Sequence, residues 1–171
     1  MIIRELKGMD LKQFWDLRFS ALMESSDAFG ATYEEEINKP IDLLETSFIN
    51  YIAPNDEDFV LGAFDDNNLL IGMIGFRREK RIKLKHKANL WGMYVIKEYR
   101  EKGIGKQLIS QFISKGSSLE GLEQIVLAVV SNNIKAKKLY ESFGFITYGI
   151  EEKAMKVDNR YLDEDLMVLN L

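Results

Sequence analysis

Two glycines one residue apart, Gly103 and Gly105, stand in "YREKGIGKQL", with Arg100, Lys102 and Lys106 around them. The segment follows an apolar run, "NLWGMYVI", and leads into an amphipathic one, "LISQFISK". A helix start leaves about four backbone N–H groups unpaired and carries roughly half a positive charge. Placed at a strand end, it binds anions. Glycine lets the backbone turn sharply and approach a ligand with no Cβ between. Successive N–H groups then form a concave nest for phosphate. On its own the segment is also satisfied by a strand-to-helix turn with exposed basic side chains, the simpler reading of a lone glycine pair. Other phosphate motifs do not fit. Leu108 stands where the dinucleotide fingerprint needs its third glycine, and no Ser or Thr follows Gly105-Lys106 as a Walker A loop requires.

Other chemistries are narrowed by composition. Without cysteine there is no disulfide framework, thiolate metal site or cysteine nucleophile. The single histidine, His86, builds no metal cluster alone. The net charge of -4 does not favour a nucleic-acid-binding role. No apolar run is long enough to span a membrane, and the N-terminus lacks a secretory pattern, so the expected location is cytoplasmic. The 171 residues, 46% hydrophobic and without linker or repeat, suit one domain over 1–171.

The elements that must position the loop follow from periodicity. Residues 2–6 form a short strand. Asp10 is an N-cap for a helix in which Leu11, Phe14, Trp15, Phe19, Leu22 and Met23 recur at helical spacing. A loop over 26–40 precedes a second helix through "IDLLETSFINYI", broken at Pro54-Asn55. "DFVLGAF" and "LLIGMIGFRR" form a hairpin around "DDNN", and "ANLWGMYVI" adds a third strand. The helix after the loop presents Ile104, Leu108, Phe112 and Ile113 on one face, with Gly116 at its end. "QIVLAVV" is a buried strand. "IKAKKLYESFG" is a helix capped by Asn133 and ended at Gly144. Two strands close the chain around "DNR". The fold class is α+β, a mixed, largely antiparallel sheet with flanking helices.

The glycine loop and "LAVVSNNIKAKKLYESFGF", some thirty residues on, together resemble the GNAT N-acetyltransferases. Arg100-Glu101-Lys102-Gly103-Ile104-Gly105 matches that superfamily's R/Q-x-x-G-x-G/A loop. The second segment is similar to its strand–Asn–helix–LY–x–x–x–GF hallmark. The resemblance implies the GNAT acyl-CoA N-acyltransferase fold, acetyl-CoA as co-substrate, no metal, and a small-molecule or peptide amine as acceptor. It places the pyrophosphate on Arg100, Glu101, Lys102, Gly103, Ile104, Gly105 and Lys106, mostly through backbone donors. It implies that Met93, Tyr94 and Val95 offer a strand edge to the pantetheine arm, with the Met93 N–H polarising the thioester carbonyl. Asn133 is the implied cofactor-contacting asparagine, with Asn132 one residue away. Tyr140 is the implied general acid for the departing thiolate, although it also fits a buried stripe with Ala136, Leu139 and Phe143.

Departures leave questions. Asn89 stands where some relatives carry a glutamate base, and Glu34, Glu35, Glu36, Asp163, Glu164 and Asp165 are the alternatives. Tyr33, Glu34, Tyr161 and Asp163 are the expected acceptor contacts, and Phe29 a further aromatic wall. The basic run Arg77 to Lys87 alternates as a hairpin extending past the core. It is either a contact for the adenosine 3′-phosphate or an acidic partner, or a solvated tip. The apolar end "LMVLNL" is compatible with a homodimer or a buried strand. The alternative to an enzyme is an acyl-CoA-binding regulatory protein on the same fold.

Overall fold

The computed structural model describes residues 1–52 and 57–171, so the expected break at Pro54-Asn55 lies outside the described residues. The strands are β1 (Ile2–Glu5), β2 (Asp58–Phe64), β3 (Leu70–Arg78), β4 (Lys87–Val95), β5 (Gln124–Val130), β6 (Ile146–Val157) and β7 (Arg160–Asn170). They form one sheet in the order β1-β2-β3-β4-β5-β7-β6. All neighbours are antiparallel except β4 and β5, which run parallel. The helices are α1 (Leu11–Glu24), α2 (Tyr33–Ile37), α3 (Ile41–Tyr51), α4 (Ile104–Ser117) and α5 (Ile134–Glu141).

Alternation along the strands divides the core between the two faces. Leu61, Ile71, Phe76 and Ile125 pack with α4 residues Leu108 and Phe112 and with Tyr140 of α5. Val60, Phe64, Met73 and Tyr94 pack on the other face with Phe14 and Trp15 of α1 and Phe48 of α3. Burying a side chain such as Phe112 contributes about 1.5–3 kcal/mol.

Several local expectations need correction. Part of the 26–40 loop is helical. A capping box starts α2, with Thr32 Oγ1 accepting from the Glu35 N–H at 3.2 Å and Glu35 accepting from the Thr32 N–H at 2.9 Å. Asp10 stands at the start of α1 without capping it. Its carboxylate turns back to the Arg4 guanidinium at 2.7 and 2.8 Å and the Lys7 N–H at 2.8 Å, which outcompete the helix amides for its oxygens. Gly116 does stand in the last turn of α4, as expected, and it also lets the helix press on Phe76, whose ring would be 3.1 Å from a Cβ there.

The basic run does not extend the β3–β4 hairpin. β3 ends at Arg78, β4 begins at Lys87, and a single 3-10 turn, Ile82–Leu84, lies between. The buried Arg78 guanidinium pulls the chain inward by donating to the carbonyls of Lys85 and Glu120 at 2.7 Å. This loop sits at the opposite end of β4 from the glycine loop. Nine residues of strand separate the two by roughly 25–30 Å. His86 is partly buried there, its carbonyl accepting from the amides of Glu123 and Gln124. The apolar C-terminal segment is an interior strand, since β7 is paired on both sides and Met167 is fully buried.

Candidate functional site

The site begins with a defect in the sheet. Gly75 pairs with Trp91 and Met73 with Tyr94, so Gly92 and Met93 together face Ile74. Gly92 has φ +64°, a left-handed conformation suited to a bulge glycine. Strand β4 bends there. Its pairing with β5 is confined to Lys87–Asn89 against Gln124–Val126, whereas β3 follows β4 to Val95 and β7 follows β5 to Val130. Beyond Asn89 a slot opens between two strands that are each paired on their far side only.

Backbone alternation decides which groups face that slot. The Ile96 N–H donates to the Ile71 carbonyl, toward β3. Period two turns Tyr94 the same way and Met93 and Val95 toward the slot. In agreement, the Tyr94 carbonyl lies 3.1 Å from where a Gly72 Cβ would stand. The Val95 carbonyl is already taken by Arg100 Nε at 2.8 Å.

The glycine loop closes the open end of the slot. The Arg100 N–H donates to the Lys97 carbonyl and the Gln107 N–H to the Gly103 carbonyl. Between them, among the described residues, the amides from Glu101 through Lys106 have no acceptor. Two left-handed residues shape this run, Glu101 at φ +64° and Gly103 at φ +79°. The conformation costs a side-chain-bearing residue roughly 1–2 kcal/mol, which glycine avoids. Gly105 acts differently. A Cβ there would lie 3.3 Å from Met93 Cε and 3.4 Å from Leu139 Cδ2, so its smallness lets the first turn of α4 settle against β4 and α5 together. The concave row of donors at a helix start fits a pyrophosphate.

The basic side chains contribute less than their number suggests. The Arg100 guanidinium bonds Val95 and forms an ion pair with Glu24 at 2.8 Å. Lys102 lies over the Tyr99 ring at 4.9 Å, and exposed Lys106 is left to face solvent. Glu101 pairs with Lys135 at 3.2 Å.

Helix α5 follows β5 across the slot. Asn133 caps it, accepting from the Ala136 N–H at 3.2 Å, which leaves its side-chain amide hydrogens to donate elsewhere. Asn132 is exposed. Tyr140 is buried beside Phe145, with ring centroids 5.8 Å apart. Burial alone pushes its hydroxyl well above the ordinary tyrosine range, with no hydrogen-bonding contribution from any described residue. It therefore stays protonated and able to donate. A buried network fixes α5 to the sheet. Asp165 of β7 accepts from Lys137 and Ser131, both at 2.5 Å, and these bonds hold its carboxyl below the usual aspartate range.

The face under α1 is built from side chains. Trp91 and Tyr94 flank the Met93 amide there, and Ala128 is exposed although β5 is a central strand. The 26–28 turn crosses to β5, and Asp27 meets Arg160 of the β6–β7 hairpin at 3.4 Å. A cavity of about 450 Å³ lies against Ser20, Glu24, Tyr94 and Glu98. Glu24, absent from the sequence-based set, accepts from the Tyr94 hydroxyl at 2.5 Å. Burial first, and then Glu24, pushes the Tyr94 pKa up.

The expected acceptor contacts are not gathered in one place. Tyr33 packs edge-on against Phe19 at 5.9 Å, and Glu34 is exposed on α2. Tyr161 and Asp163 share the opposite face with Asp165 and Met167, by strand alternation. Tyr161 is 53% exposed under Lys153 and Lys156, and Asp163 accepts from the Lys153 N–H at 2.7 Å. Among the carboxylates considered as a base, Glu35 serves the α2 cap and Glu36 pairs with Lys39 at 2.8 Å. Glu164 pairs with Val130 at the end of β5 and points to the α1 face. Burial first, and the facing Glu151 second, raise its pKa. Asn89 bonds Glu79 at 2.9 Å, away from the slot opening. Among the described residues no group of acidic or histidine side chains is arranged to hold a metal ion, and no helix is long and apolar enough to cross a membrane.

The chain is similar to known proteins. The model of the Acetyltransferase (GNAT) family matches residues 21–145. The uncharacterised N-acetyltransferase YoaA of Bacillus subtilis is 31% identical over 159 residues, covering 90% of this chain and 88% of that protein. The spermidine N(1)-acetyltransferase of Vibrio cholerae is 27% identical over 155 residues, covering 90% and 87%. A phosphinothricin acetyltransferase of Sinorhizobium meliloti, solved in complex with acetyl-CoA, superposes with a TM-score of 0.83 at 21% identity, over 99% of this chain and 88% of that one.

Proposed function

The chain belongs to the GNAT acetyltransferase family and is an acetyl-CoA-dependent acetyltransferase, and from that premise we propose that it acetylates a primary amine of a small molecule or peptide by direct transfer. The observation that carries this reading is the run of unpartnered amides from Glu101 through Lys106 at the mouth of a slot edged by Met93. Those amides hold the pyrophosphate, with Arg100 acting as a brace for the loop. The Asn133 side-chain amide donates to the cofactor from across the slot.

Acetyl-CoA supplies the acetyl group as a thioester. The Met93 N–H donates to the carbonyl oxygen on which charge develops. Tyr140 gives its proton to sulfur as the carbon–sulfur bond breaks. Glu164 accepts the proton that the attacking amine loses as the carbon–nitrogen bond forms. Its raised pKa makes it a better base than an ordinary carboxylate, and its position on the α1 face is where an amine reaches the carbonyl. The spermidine acetyltransferase among its relatives supports an amine acceptor of low mass.

The test is titration with acetyl-CoA followed by a panel of amines, scored by CoA release and by the mass of the product. Saturable binding with acetylation of at least one amine is expected. Tight binding with no transfer to any amine would defeat this reading in favour of an acyl-CoA-binding regulatory protein.

A further inference from the structure

Midway along α1, on the side where Trp91 lines the slot, a cation forms no ion pair with any described residue. Arg18 is half-buried with its guanidinium 5.0 Å from the Phe29 ring centroid. Desolvation lowers its pKa, and the nearby Tyr51 and Glu36 offset this in part. No described carboxylate lies within ion-pair distance of it. The neighbouring carboxylates are engaged elsewhere: Glu36 with Lys39, Glu24 with Arg100 and Asp27 with Arg160.

More unused donors lie beside it. Tyr51 packs against Trp91 with ring planes tilted by 44° and centroids 4.6 Å apart, and Arg77 lies over both rings at 5.4 and 5.7 Å. The Trp91 indole lies flat on Gly75, where a Cβ would be 2.2 Å from Cε2, and its Nε1 is buried with no acceptor among the described residues. Trp91 is two residues from Met93, so the cluster borders the proposed reaction centre. A contact with Phe29 offsets only part of the cost of drying a guanidinium. The cluster offers donors and positive charge that no described carboxylate takes up in a direct contact.

We propose that Arg18 anchors a carboxylate of the acceptor, so that the acceptor is an amine that also carries a carboxylate, as in an amino acid or a short peptide. This rests on the acetyltransferase reading above. The planar guanidinium fork matches a carboxylate through two parallel hydrogen bonds, and the rings of Phe29 and Tyr51 shield that pair from water. A polyamine would set a second ammonium against Arg18, where every described carboxylate nearby is already paired.

The experiment compares the common amino acids with their carboxamides, and with spermidine and putrescine, as acceptors for the full chain. The readouts are CoA release and product mass. For the preferred side chain, kcat/KM is expected to favour the acid over its amide by roughly thirtyfold or more. In Arg18→Gln that preference should shrink to about threefold or less, with the KM for acetyl-CoA unchanged. In Arg18→Lys it should be intermediate. The wild-type comparison of acid with amide decides the matter whether or not a variant folds. Equal use of acid and amide, or a preference for spermidine, would overturn the proposal. So would a folded Arg18→Gln that keeps the full preference. Transfer that ignores the carboxylate defeats this inference alone, whereas transfer to no amine defeats the enzyme reading and this one with it.

Discussion

The two sides of the slot are made of different material. Toward α4 the surface is backbone: the Met93 amide, the bulge at Gly92 and the run of N–H groups from Glu101 through Lys106. Toward α1 it is side chain: Trp91, Tyr94, Tyr51, Arg18 and Glu24. A backbone surface recognises what is common to every ligand of its class, in the function proposed above a pyrophosphate and an extended amide-bearing arm. It is specified by glycines and by phase. A side-chain surface recognises what distinguishes one acceptor from another, and it changes with each substitution.

That division can be broken from either side. The largest effect is expected for Tyr140→Phe, which should lower kcat by about a hundredfold or more and leave the Kd for acetyl-CoA nearly unchanged by calorimetry. An unaltered kcat would remove Tyr140 from the acid role. Next in size is Gly105→Val. Its side chain would collide with Met93 and Leu139, and acetyl-CoA affinity should fall by about tenfold or more. Lys106→Ala should cost less than about threefold, as for a solvent-screened charge. The reverse order would show that charge, not backbone, holds the cofactor.

A subtler test uses pH. Glu151 raises the Glu164 pKa, so Glu151→Gln should lower it, and the acid limb of kcat/KM should move to lower pH. A limb that stays in place would exclude Glu164 as the base. The smallest effect is on stability. Lys137 and Ser131 depress the Asp165 pKa, so the ionised form stabilises the fold above the ordinary aspartate value of about 3.9. That stabilisation is lost as the pH falls through the depressed range. Asp165→Asn should therefore cost about 1–3 kcal/mol in urea unfolding at neutral pH, and the deficit should shrink in acid.

The backbone-built side was the more legible in the sequence. Gly103 at the start of α4, Gly144 past the end of α5 and the apolar runs of β2 to β5 announce themselves through residue type. The bulge carried a signal too, an isolated glycine within "LWGMY", but whether such a glycine bends a strand depends on its partner, here Gly75 under Trp91. The Thr32–Glu35 capping box was present in "TYEE" and marked α2 inside a stretch read as loop. The side-chain-built surface left no pattern. Arg18 looks like any polar residue on an amphipathic helix until Phe29 and Tyr51 are placed around it. Glu24 was one carboxylate among many until Tyr94, seventy residues away, reached it. The basic loop misled because its alternation suggested a ladder, while the inward pull of Arg78 comes from long-range carbonyls that no local pattern records.

The parting of β4 and β5 also sets where the molecule yields. Among the described residues, Lys87–Asn89 against Gln124–Val126 is the only stretch of ladder joining the first four strands to the last three. Along the remainder of that seam, cohesion rests on α4 and on side chains. A molecule lying in the slot as an extra strand would sew the two half-sheets together. It should slow hydrogen exchange at Met93 and Val95 and at the loop amides, and it should raise the unfolding temperature by tightening the seam, so that loading with the cofactor and consolidation of the fold become a single event.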